Sequence, residues 1–212
     1  MAPIAITTEE VTPYLDAVKF DAAVSLFPLA RAARVRSPRK TEDRARRCAA
    51  EIALRRLLRE AGENYRALEI AYTPAGKPYF PARPDLAFSL SHSGFLACAA
   101  LYRAEGEASA PALGADIQEI PTGEKCGKLL ALAARYFSGG FRRELENAPE
   151  ETRAEVFTRL WCETEAVAKA TGRGGADFQS AEALLETARS RDFRLLSDSC
   201  GRGYGMAVVL LG

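Results

Sequence analysis

Several patterns are missing from this 212-residue chain, and each absence excludes a class of protein. The five cysteines are odd in number and form no Cys-x-x-Cys pair, so neither a zinc ribbon nor a disulfide scaffold is expected. The sequence shows no apolar run that could cross a bilayer and no basic start followed by an apolar core. We therefore expect no membrane span and no signal peptide, and a reducing cytosol as the compartment.

Two common catalytic patterns are also absent. Without a Gly-x-Ser-x-Gly elbow, the single histidine, His92, is not expected to belong to a Ser-His-Asp hydrolase. The glycines at 172, 174 and 175 follow a helix and lack the G-x-x-x-x-G-K-[ST] pattern, so they do not form a phosphate loop. We interpret them as a helix end that can line a site.

The composition that remains, 48% hydrophobic and 27% charged, is that of an ordinary globular protein. Its net charge of +1 conceals a basic segment. Between Arg31 and Arg47 eight basic residues face two acidic ones, a local net charge of +6. This segment suits a multiply charged anion of limited size. A general nucleic-acid binder would be basic overall, so no nucleic acid is expected. A solvated arginine-rich loop and helix start is the alternative.

The periodicity of apolar residues predicts an α+β fold with mostly antiparallel sheets. The first half has a helix at 42–61, a strand at 68–72, and a hairpin whose strands, 86–91 and 95–102, are joined by 92–94. A small polar segment at 105–111 divides the chain into halves at 1–108 and 109–212. The second half is expected to contain a strand at 112–120, helices at about 124–137 and 150–171, and strands at 192–196 and 204–211.

Three oxygen-bearing side chains suggest a metal site. Asp116 lies inside an apolar strand, where a carboxylate is costly unless it is paired or bound to a metal. Gln118 shares its face of that strand, since side chains alternate, and Glu165 can add a third oxygen from a helix. Three such oxygens, completed by water and phosphate, describe a magnesium site. The alternative is a hydrogen-bonded aspartate at a strand end and a surface glutamate.

Three further residues could hold phosphate. Lys169 lies four residues after Glu165, so the two share a helical face, either to serve a phosphate and a metal or as a surface salt bridge. Lys77 lies in a stiff turn between a glycine and a proline, which can aim its ammonium, and an ordinary turn lysine is the alternative. His92, flanked by Ser91 at a hairpin tip, can grip a phosphate, and an ordinary structural histidine is the alternative.

Read in order, these pieces resemble the Sfp-type 4′-phosphopantetheinyl transferases, over roughly residues 30–211. The matching stretches are Gly76–Pro78, Phe88–Ser93, Gly114–Gln118, and Trp161–Ala166 with Lys169 and the glycines at 172 and 174. Weaker matches are Arg31, Arg34, Arg46, and Tyr136–Ser138 before Glu144. Four strong pieces in family order make the signal specific.

The resemblance implies an enzyme of the holo-acyl-carrier-protein synthase type. Such enzymes move the phosphopantetheine arm of coenzyme A onto a serine of an acyl- or peptidyl-carrier protein and release 3′,5′-ADP. The implied fold is two similar α+β halves, which together form one transferase unit with coenzyme A in the cleft between them. Because one chain can form that cleft, we expect a monomer.

Site roles follow from the resemblance by motif position. Asp116, Gln118 and Glu165 would face Mg²⁺, and Lys169 would contact the pyrophosphate. Glu165 is also the best candidate base for the serine proton, directly or through a metal-bound water. The 3′-phosphate end of coenzyme A would be held by Lys77, Ser91 and His92. Further cationic contacts would come from Arg46, Arg31 and Arg34.

Two residues depart from the family pattern. Glutamate is usual where this chain has Gln118, and lysine is usual where it has Thr164. The first change removes a negative charge from the metal site, which predicts weaker metal binding. The second removes a cation near the substrate. A coenzyme A-binding homologue with weakened or lost activity is therefore the alternative function. An RNA-binding module is disfavoured, because an aromatic-rich strand of the kind that stacks bases is missing.

Overall fold

The computed structural model describes residues 4–106, 109–172, 180–197 and 202–212. The chain divides into two compact units, Met1–Leu113 and Gly114–Gly212. Each unit combines helices with antiparallel strand pairs, so the predicted α+β class is confirmed. The predicted halves at 1–108 and 109–212, and their similarity, stay predictions, and residues 107–108 of the polar segment lie outside the described residues.

Unit 1 is built on a three-stranded sheet with the order β1-β5-β4 and a small pair, β2-β3. Its strands are β1 (Ala5–Glu10), β2 (Ala71–Tyr72), β3 (Pro78–Tyr79), β4 (Leu86–Ser93) and β5 (Leu96–Arg103). Its helices are α1 (Ala17–Val24), α2 (Leu29–Arg36) and α3 (Thr41–Glu60), with 3₁₀ turns at Thr12–Leu15 and Tyr65–Ala67. Sequence patterns did not predict β1, α1 or α2.

Helix α3 is the predicted helix at 42–61, and it packs against β1 and β5. Cys48, Leu54 and Leu58 on its buried side are fully enclosed in the core of unit 1. The helix stops because Gly62 adopts a φ of 78°, which a residue with a side chain rarely takes.

The β4–β5 hairpin is confirmed, with strands longer than predicted. His92 is not in the connecting loop, because it pairs with Ala97 inside the ladder, and the turn consists of Gly94 and Phe95. Conversely, the strand predicted at 68–72 is limited to Ala71–Tyr72. Its partner β3 has only two residues, so there is little for a longer strand to pair with.

Unit 2 contains a three-stranded sheet with the order β6-β8-β7. Its elements are β6 (Ala112–Glu119, which begins at the unit boundary), α4 (Leu129–Tyr136), α5 (Gly139–Asn147), α6 (Arg153–Thr171), α7 (Ala181–Glu186), β7 (Ala188–Ser197) and β8 (Gly203–Leu211). The strands predicted at 112–120, 192–196 and 204–211 and the helix at 150–171 are confirmed. The helix predicted at 124–137 is instead a 3₁₀ segment, Gly123–Lys128, followed by α4.

Helix α6 packs against β8 and is buried on most sides, which fixes its orientation in unit 2. It ends at Gly172, whose φ of 69° provides the left-handed residue that closes a helix. This confirms the predicted helix end at Gly172, whereas the glycines at 174 and 175 lie outside the described residues. Within the described ranges, no helix is both long and apolar enough to cross a membrane.

Candidate active site

Strand β6 carries Asp116 into the interior of unit 2. The residue is 2% exposed, and its carboxylate accepts a hydrogen bond of 3.0 Å from the Nε2 of Gln118 to its Oδ2. The two side chains lie on the same face of the strand because they are two residues apart. The alternating neighbours, Ala115 and Ile117, are completely buried on the other face. Strand β6 therefore has a polar face, which carries Asp116 and Gln118, and an apolar face, which carries Ala115 and Ile117.

Helix α6 has a stripe of partly exposed side chains, one of which reaches the carboxylate of Asp116. Along Trp161–Ala170 the partly exposed residues are Trp161, Glu165 and Lys169, which recur every four positions and therefore share a face. The Nζ of Lys169 lies 2.6 Å from the Oδ1 of Asp116. The structure thus brings both Gln118 and Lys169 into direct contact with Asp116.

Glu165 belongs to the same cluster electrostatically. Burial raises the pKa of its carboxyl, and the negative charge of Asp116 raises it further, while Lys169 opposes the shift. A carboxylate with a raised pKa is a better proton acceptor than an ordinary glutamate. Strand β6 and helix α6 therefore place two carboxylates, Asp116 and Glu165, and the ammonium of Lys169 in one electrostatic cluster.

The oxygens of this cluster suit a hard divalent cation. After burial, the negative charge of Asp116 is the next cause of the raised pKa of Glu165, and a dication would relieve that repulsion. Among the residues that the structure describes, no three His, Cys, Asp or Glu side chains form a metal cluster. The amide oxygen of Gln118 is the candidate third donor, and an oxygen-only set fits Mg²⁺.

Comparison with known proteins bears on this region. Residues 112–205, which carry Asp116, Gln118, Glu165 and Lys169, match the model of the 4′-phosphopantetheinyl transferase superfamily. The chain belongs to this superfamily.

Individual relatives of the transferase superfamily extend the match beyond unit 2. The chain is 32% identical over 181 residues to the L-aminoadipate-semialdehyde dehydrogenase-phosphopantetheinyl transferase of Eremothecium gossypii, covering 80% of this chain and 60% of that protein. It is 31% identical over 100 residues to a 4′-phosphopantetheinyl transferase of Bacillus subtilis, covering 47% of this chain and 39% of that one. The 4′-phosphopantetheinyl transferase AcpT of Salmonella typhi is 34% identical over 122 residues, covering 58% and 59%. The chain thus spans about two fifths to three fifths of these relatives' lengths.

Thr164, the second departure from the transferase pattern, is buried in unit 2. Its side chain is 1% exposed, and its hydroxyl donates a hydrogen bond of 2.7 Å to the carbonyl of Leu160 in its own helix. Position 164 therefore lies outside the exposed stripe of α6. A threonine fits there without disturbing Glu165.

In unit 1 of this superfamily member, Lys77 lies in the β2–β3 turn. Its backbone N–H donates a bond of 3.1 Å to the hydroxyl of Thr73, and Gly76 closes the turn with a φ of 86°. Its Nζ donates a bond of 3.2 Å to the carbonyl of Leu113. Burial lowers the pKa of Lys77 to about 8. The side chain borders a cavity of about 300 Å³ that is otherwise lined mainly by apolar residues, among them Phe80 and Phe88.

Arg31 and Arg34 meet at the ring of Tyr72, at the start of the same turn. The guanidinium of Arg34 lies 4.9 Å from the ring centroid, and Arg31 donates a hydrogen bond to the hydroxyl. Arg34 is exposed, whereas Arg31 is 4% exposed and is bound by Glu51. Arg31 is therefore a buried, ion-paired residue that holds Tyr72 through a hydrogen bond. Arg34, on the ring of the same tyrosine, is the arginine that is exposed to solvent.

The β4–β5 hairpin carries His92 and is contacted by Arg46 of helix α3. The Nε of Arg46 donates a bond of 3.0 Å to the carbonyl of Gly94 in the turn. His92 is exposed, whereas Ser91 is 7% exposed, and as neighbours on a strand they point to opposite faces. A single phosphate cannot be gripped by both side chains from one face of the strand.

Tyr72 and Glu51 contact the candidate arginines, and sequence reasoning missed both of them. Tyr72 contacts both arginines, and Glu51 neutralises the buried one. One signal was available for Glu51: an acidic residue among Cys48, Ala49, Ala50 and Ala53 on an apolar helical face requires a cationic partner.

Proposed function

We propose that this chain transfers the 4′-phosphopantetheine group of coenzyme A to a serine of an acyl- or peptidyl-carrier protein, as an enzyme of the holo-acyl-carrier-protein synthase type. One observation carries the proposal. The buried Asp116 is bound by Lys169 and Gln118 and lies close enough to Glu165 to raise its pKa, within the region that matches the superfamily.

The chemistry follows from this arrangement. Glu165 takes the proton of the carrier serine hydroxyl, whose oxygen forms a bond to the β-phosphorus of coenzyme A. The bond from that phosphorus to the bridging oxygen breaks, and 3′,5′-ADP leaves with the electron pair. Lys169 neutralises the charge that develops on the bridging oxygen of the pyrophosphate as 3′,5′-ADP leaves. Mg²⁺, held by Asp116, Gln118 and Glu165, would supply further neutralisation of the same charge.

The remaining predicted residues belong to unit 1, and we propose that they bind the 3′-phosphate end of coenzyme A. Lys77, Arg34, Arg46 and His92 offer cations or donors at partly or fully exposed positions. Ser91 and Arg31 are buried, and we propose that they act by supporting these neighbours. Both units would then contact one coenzyme A molecule, with two similar halves and a shared cleft, as the family resemblance implies. A monomer in the cytosol would be sufficient for this activity.

The direct test is the intact mass of an apo carrier protein after incubation with the chain, coenzyme A and Mg²⁺. A gain of one phosphopantetheine is expected for the wild type and the matched control Glu155→Gln, since Glu155 is exposed on the same helix. Glu165→Gln should reduce the rate by about 10²- to 10⁴-fold. The absence of any mass gain across several carriers would refute transfer, and full activity of Glu165→Gln would refute the base.

The second candidate is a homologue that binds coenzyme A with weakened or lost transfer, which Gln118 favours because it removes one negative charge from the metal site. Isothermal titration with coenzyme A separates the two candidates. Binding with no mass gain in the carrier, or with only a slow one, would favour the homologue, whereas binding together with efficient transfer would exclude it.

A further inference from the structure

Gly114 marks the place where β6 and α6 touch backbone to backbone. A Cβ atom built on Gly114 would lie 1.8 Å from the carbonyl oxygen of Ala166 and 2.7 Å from the backbone nitrogen of Ala170. Both neighbours are main-chain atoms of a buried helix, so no rotamer change can clear the space. Only a shift of the helix or the strand could admit a side chain here.

Two other glycines of unit 2, Gly205 and Gly127, do not have this property. A Cβ on Gly205 would meet the side chains of Thr158 at 2.7 Å and Phe193 at 3.0 Å, which can rotate or bend. A Cβ on Gly127 would meet nothing within 4 Å. The requirement for glycine at 114 is therefore set by the distance between the two elements, since the backbone φ there is not in the left-handed region.

This contact lies next to the proposed catalytic groups on both elements. Gly114 is two residues before Asp116 on the same face of β6, so its Cα is about 7 Å from that of the aspartate. On the helix, Ala166 and Ala170 directly follow Glu165 and Lys169. How closely the backbones approach at Gly114 therefore decides how far the carboxylate of Asp116 lies from the two polar groups of α6.

We propose that Gly114 is a positioning residue, which holds α6 close enough to β6 for Asp116, Glu165 and Lys169 to act as one cluster. The inference rests on the proposed transferase function. Gly114 touches no substrate and acts only through the spacing of the two elements. To admit a methyl group, the 1.8 Å gap must widen to an ordinary contact, by roughly 1.5 Å, and displacements of about 1 Å can cost about 10²-fold in rate.

The test compares Gly114→Ala with Gly127→Ala, the glycine with open space. We expect Gly114→Ala to lower kcat by about 10²-fold at a temperature where it is folded, with a smaller change in the KM for coenzyme A. Gly127→Ala should behave as the wild type. A folded Gly114→Ala with wild-type kcat would overturn the proposal.

A rescue experiment distinguishes positioning from a general loss of structure. Asp116→Glu lengthens the carboxylate side chain by one methylene group, so it should harm the wild type but restore part of the activity of Gly114→Ala. If both changes are simply additive, the spacing argument fails.

A second readout does not depend on turnover. Trp161 is the only tryptophan and lies one helical turn before Glu165. Its fluorescence and the thermal midpoint, each titrated with Mg²⁺, should respond in the wild type and in Gly127→Ala, and far less in Gly114→Ala. An equal response in all three would refute the positioning role even if the wild type proved inactive as a transferase. The proposed transferase function is tested separately, by the mass gain of the carrier protein with the wild-type enzyme.

If Gly114→Ala does not fold, Gly205→Ala crowds the same helix more gently at Thr158, because side chains can absorb part of the added volume. A fall in kcat together with a higher Mg²⁺ requirement would support the proposal. Wild-type values for both, despite a lowered thermal midpoint, would contradict it.

Discussion

The Nζ of Lys169 lies 2.6 Å from the Oδ1 of Asp116, so the ammonium stands beside the carboxylate proposed to bind Mg²⁺. A cation at this position repels a metal ion while stabilising the negative charge that develops on the departing 5′-phosphate of 3′,5′-ADP. Lys169→Gln should therefore tighten Mg²⁺ binding by about fivefold and lower kcat by about 10²-fold. Calorimetry and initial rates measure the two effects, with the exposed Lys128→Gln as control. Weaker Mg²⁺ binding in Lys169→Gln would contradict this assignment.

Gln118→Glu should tighten Mg²⁺ binding and lower the free energy of unfolding of the metal-free protein. The change removes the amide that donates to Asp116 and adds a third negative charge beside Asp116 and Glu165. We expect a loss of about 1–3 kcal/mol in the free energy of unfolding in a chelator. Mg²⁺ should largely restore it, and activity should need less Mg²⁺. An unchanged Mg²⁺ requirement would show that residue 118 is not a ligand.

Lys77 should make the binding of 3′,5′-ADP dependent on pH. Burial lowers its pKa to about 8, so the free site loses its positive charge as the pH rises through that value. Affinity should fall by about tenfold between pH 7 and pH 9. In Lys77→Arg, which stays charged, calorimetry should show little change. Equal wild-type affinities at both pH values would contradict a role for Lys77.

The lowered pKa of Lys77 also affects stability, and here the trend is reversed: affinity falls as the pH rises, whereas stability increases. Between about pH 8 and the ordinary lysine value of 10.5, the unfolded chain retains a proton that folded Lys77 has released. The contribution of Lys77 to the free energy of unfolding should therefore rise with pH across this window. Comparing the pH dependence of urea unfolding for the wild type and Lys77→Met isolates the effect.

Glu51→Gln should be among the more destabilising single changes in unit 1. Glu51 is 3% exposed and accepts hydrogen bonds from Arg31 and Tyr65, so its loss leaves the Arg31 charge buried without a counter-charge. We expect a decrease of about 3–5 kcal/mol in the free energy of unfolding. Glu60→Gln, exposed on the same helix, should change it by less than about 0.5 kcal/mol. Urea denaturation measures both, and equal effects would contradict the structural role of the network.

Sequence patterns predicted those features that depend on neighbouring residues. The hairpin of β4 and β5 and the helix α6 have strong local periodicity, and Asp116 stands out because a carboxylate interrupts an apolar strand. The break between the 3₁₀ segment and α4 was missed, since the apolar pattern continues past Gly127.

Features that depend on distant partners could not be predicted in this way. The sequence shows a run of arginines, but only the fold shows that Glu51 binds Arg31 and buries it. Likewise, the need for glycine at 114 arises from the helix that crosses it, more than fifty residues later in the chain.

The narrow exposed stripe of α6 limits how this protein can change over evolutionary time. Between Trp161 and Ala170 every residue except Trp161, Glu165 and Lys169 is buried. A substitution at any of the buried positions alters packing, so drift in this helix is confined by the core. Variation in substrate preference should consequently accumulate on other elements, and a comprehensive substitution library should find α6 among the least tolerant segments of the chain.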